Sequence, residues 1–341
     1  MRERRVHRES DVRGASVSSP GVSHPDDTST STDHRSDAPR LLRGRVIEAV
    51  GGVYTVELED GRELPTRLRG RLKLEQRTGD RVVVGDFVEV EEREGEDATI
   101  ESVAPRRTQL ARRAPGRNVR KAKVIVANVE QVVVVFAAAN PEPRLRMLDR
   151  FLVLAEFNGL AAKIVINKID AVEDVAALEE QLAPYRAAGY DVLFTSTTQN
   201  INIDRFRELL CGHESVITGP SGVGKSSLLN AVEPGLSLRV GAVSEAVNKG
   251  RHTTVSARLV RLDCGGHVVD TPGLREVGLW GMDPDRLDEA FPEFRPYLGE
   301  CRFGSSCTHT HEPDCAVQAA VEAGEVSAAR YDSYRALLED G

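Results

Sequence analysis

The stretch Gly219-Pro-Ser-Gly-Val-Gly-Lys-Ser226 decides how this sequence is interpreted. It fits the pattern GxxxxGK[ST] and stands between a run typical of a buried strand, residues 215–218, and a helical segment, which is the context that a phosphate-binding loop requires. Its glycines let backbone N–H groups surround phosphate oxygens, and the N-terminus of the following helix adds a positive dipole end. Lys225 is expected to contact the β- and γ-phosphates, and the Ser226 hydroxyl is expected to reach Mg²⁺. The motif therefore predicts a nucleoside triphosphate site.

Upstream, Asn167-Lys-Ile-Asp170 follows a β-branched run and ends a predicted strand. An aspartate at that place can accept two hydrogen bonds from N1 and N2 of guanine, a donor pair that adenine does not present. The next predicted strand ends at Thr195-Ser-Thr197, where backbone amides can approach guanine O6, and we take Ser196 as the contact. Together with the phosphate loop, these segments favour GTP over ATP.

Downstream, Asp270-Thr-Pro-Gly273 follows a predicted hairpin strand. The Asp270 carboxylate is expected to hold the metal through water, and the Gly273 amide is expected to sense the γ-phosphate. Between the two motifs lies Gly250-Arg-His-Thr-Thr254, in which a threonine can complete the Mg²⁺ shell in the triphosphate state and release it afterwards. The sequence leaves open whether this is Thr253 or Thr254.

The region from about residue 124 alternates β-branched runs with helical stretches, which is typical of a parallel sheet covered on both faces. We place strands at 131–137, 162–166, 191–194 and 215–218, followed by a hairpin at 255–269 that turns at Cys264-Gly-Gly266. In Ras-like GTPases the phosphate loop precedes the guanine-reading motif, whereas here it follows. The sequence therefore predicts an α/β GTPase domain, residues 124–290, that is circularly permuted.

The N-terminal third divides into three segments. Residues 1–40 are polar and aperiodic, which predicts a disordered tail. Residues 41–104 show short alternating runs broken by turn signals, which predict an all-β OB-fold barrel. Residues 105–123 form a linker that carries eight cations and no acid.

Two basic stretches are candidates for RNA contact. We predict a strand over residues 66–74, in which cations alternate with Leu68, Leu72 and Leu74 and so share one face. The candidate RNA-binding residues are Arg67, Arg69, Arg71, Lys73, Arg112 and Arg113. The alternatives are a barrel that merely exposes a charged face and a solvated connector.

Three cysteines and a histidine cluster near the C-terminus, at Cys301, Cys307, His309 and Cys315, and His311 competes for the fourth position. Three thiolates and one imidazole complete a closed tetrahedral shell, so we expect one structural Zn²⁺ in a mostly helical domain over residues 291–341. The other cysteines, Cys211 and Cys264, are predicted to be small buried hydrophobes.

Composition argues against several classes of protein, among them membrane-spanning, secreted and disulfide-rich proteins. The chain has 341 residues and a net charge of −8, which argues against coating nucleic acid over the whole surface. The longest apolar run, 132–139, is far shorter than a membrane span, and no apolar segment follows the basic N-terminus as in a secretory signal. Five cysteines are too few for a disulfide framework. We expect a cytoplasmic protein without a membrane partner.

The combination of barrel, GPSGVGKSS, GRHTT, DTPG, NKID and the CxHx5C knuckle closely resembles the small ribosomal subunit biogenesis GTPase family RsgA (YjeQ), from about residue 41 onward. The resemblance implies GTP hydrolysis that the small (30S) subunit stimulates and a role in late maturation of that subunit. We also expect slow basal hydrolysis, rRNA binding and a monomer. By position it implies that Asn167, Lys168 and Asp170 bind guanine. It also implies that phosphate and Mg²⁺ are bound by Gly219, Pro220, Ser221, Gly222, Val223, Gly224, Lys225, Ser226 and Ser227. Five residues separate Cys301 from Cys307, where the family usually has four.

The residue after DTPG is Leu274, where Ras-like enzymes carry the glutamine that orients the attacking water. The nearest replacement in sequence is His252, and the resemblance also implies a histidine here. We expect His252 to act once a partner orders its loop; the alternative is an exposed loop histidine. Two other functions remain open: a nucleotide-gated RNA-binding chaperone whose hydrolysis is incidental, and an ATP-using kinase or ATPase.

Overall fold

The computed structural model describes residues 40–73, 81–93, 97–113, 122–236, 257–270 and 284–340. The strands are β1 Arg40–Val50, β2 Val53–Leu58, β3 Glu63–Leu68, β4 Phe87–Glu92, β5 Ala98–Val103, β6 Gln109–Arg113, β7 Ala122–Ala127, β8 Gln131–Ala137, β9 Ala161–Asn167, β10 Asp191–Phe194, β11 Glu214–Thr218, β12 Arg258–Arg261 and β13 His267–Asp270. The α-helices are α1 Leu145–Phe157, α2 Val175–Ala187, α3 Ile203–Leu210, α4 Lys225–Val232, α5 Ala316–Glu322 and α6 Ala328–Asp340. Short 3-10 turns cover Ile169–Ala171, Pro234–Leu236, Pro284–Arg286, Asp288–Ala290, Pro292–Tyr297 and Gly304–Ser306.

The first five strands close into a barrel. They pair in the order β1-β2-β3-β5-β4, and β4 pairs again with β1. Alternate residues of these strands, among them Val46, Val56, Val90 and Ile100, are fully buried in its interior. This period of two is the one that the sequence shows, and it confirms the predicted OB-like barrel.

The predicted strand over residues 66–74 is correct for its first three residues and wrong for residues 70–73, while residue 74 lies outside the described part of the chain. β3 ends at Leu68, residues 70–73 are helical, and the Lys73 amide donates to the Arg69 carbonyl in the helical manner. Leu68 and Leu72 are four residues apart. This spacing puts two side chains on one face of a strand, whose period is two residues, and also on one face of a helix, so it did not distinguish the two structures. The cations of this stretch are exposed, but they do not share one strand face.

Part of the segment predicted as a linker is a strand. β6 pairs with β7 in an antiparallel hairpin, with Arg112 opposite Lys123 and Arg113 opposite Ala122. The residues that connect the two strands lie outside the described part of the chain.

The described strands between residues 131 and 270 form a mostly parallel sheet in the order β10-β9-β8-β11-β13-β12. Among these six strands, β12 alone pairs antiparallel, with β13. All seven residues of β8 are buried, as expected for a central strand covered on both faces. Helix α1 buries Leu148 and Leu152, and helix α2 buries Leu178 and Leu182. The Asp174 side chain caps α2 by accepting from the Ala177 amide. The predicted α/β architecture is thereby confirmed.

The C-terminal part is built from short helical turns, α5 and α6, as expected for a mostly helical domain. Its apolar interior centres on Phe291, Phe294 and Tyr334, whose rings lie within 5.4 Å of one another. Arg330 of α6 is 1% exposed and ion-pairs with Asp149 of α1 and with Glu293. A buried charge cluster therefore joins this part to the parallel sheet. None of the helices in the described residues is both long and apolar enough for a membrane span.

The expectation that Cys211 and Cys264 are separate buried hydrophobes is wrong, because they form a disulfide. Cys211 follows α3 and Cys264 lies in the β12–β13 turn. The Gly212 amide donates to the Gly265 carbonyl and holds the two segments side by side, so the Cα atoms are 5.4 Å apart. The pairing joins residues 53 positions apart, and sequence spacing gave no sign of it.

Candidate functional site

The phosphate loop runs from the end of β11 to the start of α4, and its glycines have the backbone geometry that the motif requires. Gly219, Gly222 and Gly224 all have positive φ, at 135°, 80° and 93°. A Cβ on Gly219 would lie 2.0 Å from the Val135 carbonyl oxygen of β8, and a Cβ on Gly224 would lie 2.3 Å from Asn167 Nδ2. Only glycine fits these two positions without displacing a neighbour.

The Lys225 side chain is buried in the phosphate loop. The residue is 7% exposed, and its Nζ donates to the carbonyls of Gly219 at 2.8 Å and of Pro220 at 2.7 Å. The ammonium is therefore already positioned at the loop, next to the exposed Ser221 and the half-buried Ser226 and Ser227. A phosphate entering the loop would replace these contacts with neutral carbonyls by ion pairs with its charged oxygens.

Asn167 connects the two predicted halves of the site. Its side chain is 1% exposed, its Nδ2 donates to the Val223 carbonyl of the phosphate loop at 3.0 Å, and its Oδ1 accepts from Thr195 Oγ1 at 3.2 Å. Segments that are separated by 56 and 28 residues thus meet at one amide. The structure brings NKID, the phosphate loop and the end of β10 together, as the permuted arrangement requires.

Asp170 is exposed, and hydroxyl groups hold both of its carboxylate oxygens. Ser196 Oγ donates to Oδ1, and Thr198 Oγ1 donates to Oδ2 at 2.7 Å. These two hydrogen bonds, from Ser196 first and Thr198 second, hold the pKa of the Asp170 carboxyl below its ordinary value. The carboxylate is therefore ionised and oriented, as a bidentate acceptor for guanine must be.

Thr198 was missed by sequence reasoning, which stopped at Thr197. The backbone of Ser196 pairs in both directions with Ile201, and this tight turn brings Thr198 back over Asp170. The only sign of this role in the sequence is that Thr198 carries a hydroxyl and lies two positions after Ser196.

Lys168 adopts the left-handed conformation, with φ at 62°, and its Nζ donates to the Asn140 carbonyl at 2.5 Å. This contact draws the loop after β8 towards the NKID segment. Lys168 thus lies at the same edge of the sheet as Asn167.

The remaining predicted residues divide into two groups. Asp270 ends β13, and the parallel register sets it opposite Ile217, so the strand reaches the same edge of the sheet as the phosphate loop. His252, Thr253, Thr254 and Gly273 lie outside the described residues.

The four predicted metal ligands form one buried cluster. The ligand atoms of Cys301, Cys307, His309 and Cys315 all lie within 4.8 Å of one another. Cys301 Sγ is 3.8 Å from Cys315 Sγ, and His309 Nδ1 is 3.5 Å from Cys301 Sγ and 3.4 Å from Cys315 Sγ. A tetrahedral ion with Zn–S near 2.3 Å and Zn–N near 2.0 Å implies separations of about 3.8 Å and about 3.5 Å. The donor set and these three separations fit zinc. Cys301 belongs to the cluster although five residues, one more than usual, separate it from Cys307.

The structure distinguishes between His309 and His311 as the fourth ligand. His309 is 2% exposed and turns Nδ1 towards the sulfurs, whereas His311 is exposed and outside the cluster. His309 Nε2 lies 3.3 Å from the Asp288 carboxylate, which sequence reasoning missed because Asp288 is 21 positions away. The Asp288 carboxylate can accept a hydrogen bond from Nε2–H, which leaves the Nδ1 lone pair for a metal ion.

Comparison with known proteins supplies the family. A family model described as RsgA GTPase matches residues 103–280, and one described as RsgA N-terminal domain matches residues 43–100. A relative from Gemmatimonas aurantiaca, named small ribosomal subunit biogenesis GTPase RsgA, is 51% identical over 301 residues, covering 87% of this chain and 96% of the relative. A relative of the same name from Moorella thermoacetica is 44% identical, covering 88% and 97%.

Solved structures agree with the sequence relatives. The crystal structure of YjeQ from Thermotoga maritima has a TM-score of 0.73 and 35% identity, covering 88% of this chain and 98% of that one. The structure of YloQ, described as a circularly permuted GTPase, has a TM-score of 0.69 and 30% identity, covering 90% and 96%. Both support the predicted circular permutation, and together with the matches above they establish that the chain belongs to the RsgA GTPase family.

Proposed function

We propose that this protein hydrolyses GTP to GDP and phosphate and acts in late maturation of the small ribosomal subunit, which stimulates the hydrolysis. The observation that carries the proposal is the Asn167 side chain, which ties the guanine-reading segment to the phosphate loop. The names of the relatives from Gemmatimonas and Moorella support the biological role.

In the proposed reaction, Asp170 selects guanine, and Asn167 and Lys168 hold the loops around it. The backbone of residues 219–227 and the Lys225 ammonium bind the phosphates. Mg²⁺, which neutralises the charge that develops on the phosphates, would be held by Ser226, by Asp270 and by Thr253 or Thr254. His252 positions the attacking water, and the Gly273 amide senses the γ-phosphate.

The ligand cluster of Cys301, Cys307, His309 and Cys315 is proposed to hold one structural Zn²⁺. A closed shell of this kind contributes about 10 kcal/mol or more to folding. Chelation is therefore expected to unfold the C-terminal part before it lowers guanine affinity. Circular dichroism and GDP titration on the same chelated sample would reveal that order.

RNA contact is proposed for cations of the barrel and the β6–β7 hairpin. Arg71, Lys73, Arg112 and Arg113 remain candidates. Arg67 and Arg69 are candidates as well; Arg67 lies 3.3 Å from Asp97 and Arg69 ion-pairs with Glu91 and Glu101, so RNA would compete with these acids there. We further propose that the protein is cytoplasmic and monomeric.

The decisive experiment measures multiple-turnover GTP hydrolysis with added small subunits and, as the matched control, with large subunits. We expect slow basal turnover and stimulation by the small subunit alone. Stimulation should be lost in His252→Ala, whereas GDP affinity should be kept. Hydrolysis that neither subunit changes would favour the RNA-binding chaperone and would reject the proposal.

A further inference from the structure

The Cys211–Cys264 disulfide belongs neither to the nucleotide site nor to the zinc cluster, and it lies beside the parallel pairing of β11 with β13. In that pairing Glu214 lies opposite His267, so partners are 53 positions apart, which is also the separation of the two cysteines. The cysteines lie three residues before the first residues of the two strands. The disulfide therefore continues the register of this strand pair.

The backbone around the disulfide follows the same register. The Gly212 amide donates to the Gly265 carbonyl at 2.9 Å, and the His267 amide donates to the His213 carbonyl at 3.0 Å. The two segments also approach closely, since a Cβ on Gly266 would lie 2.5 Å from the His213 carbonyl oxygen. None of these contacts involves sulfur, so we expect the turn to stay folded when the disulfide is reduced.

The register matters because the two strands end at different parts of the nucleotide site. β11 leads into the phosphate loop, and β13 ends at Asp270, which lies opposite Ile217. A slide of β13 that keeps its side chains on the same faces must cover two residues, about 6.6 Å, and would carry Asp270 away from the phosphate loop. The Cα atoms of Cys211 and Cys264 are 5.4 Å apart. The slide would separate them to about 8.5 Å, beyond the roughly 7 Å that a disulfide spans, so the intact bond forbids it.

The position of this disulfide allows small molecules to react with it. Cys211 and Cys264 are half-buried, whereas Cys301, Cys307 and Cys315 are 6%, 6% and 5% exposed. Disulfides are rare in the cytoplasm, and those that form there are usually transient. We propose that Cys211 and Cys264 are a reversible thiol–disulfide site that fixes the register of β13 against β11, and that low-molecular-weight thiols and disulfides are its reactants. The inference rests on the proposed function for the role of Asp270 and for the cytoplasmic location.

Reduction of the site proceeds by two thiol–disulfide exchanges. A small-molecule thiolate attacks one sulfur of the disulfide and forms a mixed disulfide, while the other cysteine leaves as a thiolate and takes up a proton. A second small-molecule thiolate then attacks the mixed disulfide, which releases the remaining cysteine and a small-molecule disulfide. Two small-molecule thiols thus lose two electrons and two protons, and the two cysteines gain them. Oxidation reverses both exchanges.

The chemical part of the proposal is tested on the zinc-loaded full chain, equilibrated in buffers that differ in the ratio of reduced to oxidised glutathione. Free thiols are then alkylated and located by peptide mass spectrometry. We expect Cys211 and Cys264 to become alkylated together as the buffer becomes more reducing, and to lose this reactivity when oxidised glutathione is restored. The cysteines of the zinc cluster should stay protected throughout.

The structural part is tested by amide hydrogen exchange of the oxidised and reduced forms. A disulfide at the lower end of the usual range of stabilisation changes an opening equilibrium by about 30-fold, so exchange in β13 should become about 10- to 30-fold faster on reduction. β9 lies outside the ring that the bond closes between residues 211 and 264, and its exchange should not change.

The control for effects of glutathione elsewhere is the double variant Cys211→Ser and Cys264→Ser. Its β13 amides should exchange as fast as those of the reduced wild type and should not respond to the buffer. A disulfide that does not form or does not break in these buffers, equal exchange of β13 in the two forms, or equal acceleration of β9 and β13 would overturn the proposal. These measurements use neither GTP nor subunits, so they can fail while subunit-stimulated hydrolysis succeeds, or the reverse.

Discussion

The substitution Thr198→Val tests how the protein reads guanine. It keeps the shape of the side chain and removes the hydroxyl that donates to Asp170 Oδ2 at 2.7 Å, while the Ser196 contact to Oδ1 remains. A hydrogen bond to a charged group contributes about 1.5–3 kcal/mol. Since Asp170 and Thr198 are both exposed, water replaces part of that contribution, and we expect about 0.5–1 kcal/mol. GDP affinity should therefore fall about two- to fivefold.

The same substitution should shift the pH dependence of binding in a known direction. Hydrogen bonds from Ser196 and Thr198 lower the pKa of Asp170, so the carboxylate persists to lower pH. Only the ionised form accepts both guanine hydrogen bonds. Without the Thr198 hydroxyl the pKa moves back towards its ordinary value, so the affinity of the variant should begin to fall at a higher pH than that of the wild type.

Titration of a fluorescent GDP analogue between about pH 2 and about pH 8 measures both effects, because the carboxyl of Asp170 titrates below its ordinary range. Thr197→Val is the matched control, because Thr197 is adjacent and forms no hydrogen bond with Asp170 in the structure. If Thr197→Val and Thr198→Val bind GDP equally well and lose affinity at the same pH, Thr198 does not orient Asp170, and the reasoning fails.

Three further substitutions test the phosphate loop, the buried ion pairs of Arg330 and the proposed zinc site. Gly219→Ala forces a Cβ against a backbone carbonyl of β8 and should abolish tight GDP binding, whereas Gly159→Ala, also at a positive φ (64°) but with open space around the Cβ position, should leave GDP titration unchanged. Arg330→Met leaves two carboxylates without their buried partner and should lower the free energy of unfolding by about 3–5 kcal/mol in urea denaturation; a stability equal to the wild type would contradict this. Asp288→Asn should weaken zinc binding about 10- to 100-fold in competition with a chromogenic chelator, and His311→Ala should not.

The sequence predicts the nucleotide site well because each of its parts follows a strand. Strong β-branched runs mark β8, β9 and β11, and the carboxyl ends of parallel strands meet at one edge of a sheet. Asn167 and Val223 could therefore be expected near each other from topology alone. The direct hydrogen bond between them could not, because it depends on the rotamer of a single amide.

Contacts between distant segments account for what the sequence did not predict. Asp288 and Thr198 act on residues already identified, yet a carboxylate and a threonine are common on protein surfaces and carry no signal by themselves. The Cys211–Cys264 disulfide and the burial of Arg330 depend on how α3 meets a turn and how α6 packs on α1. Local hydrophobic patterns in the sequence predict strands and the apolar faces of helices, but they do not predict which two faces pack together.

The central strand explains why the permuted order still builds one site. β8 comes first among the strands of the parallel sheet, and β9 and β11 then pair with its two edges. The Ala138 amide, directly after β8, donates to the Asn167 carbonyl, and the Val135 carbonyl oxygen of β8 lies 2.0 Å from the position of a Cβ on Gly219. The guanine-reading segment and the phosphate loop are thus both positioned by contacts with the same buried strand, β8. Their separation depends on the width of that strand in the sheet and not on their order along the chain.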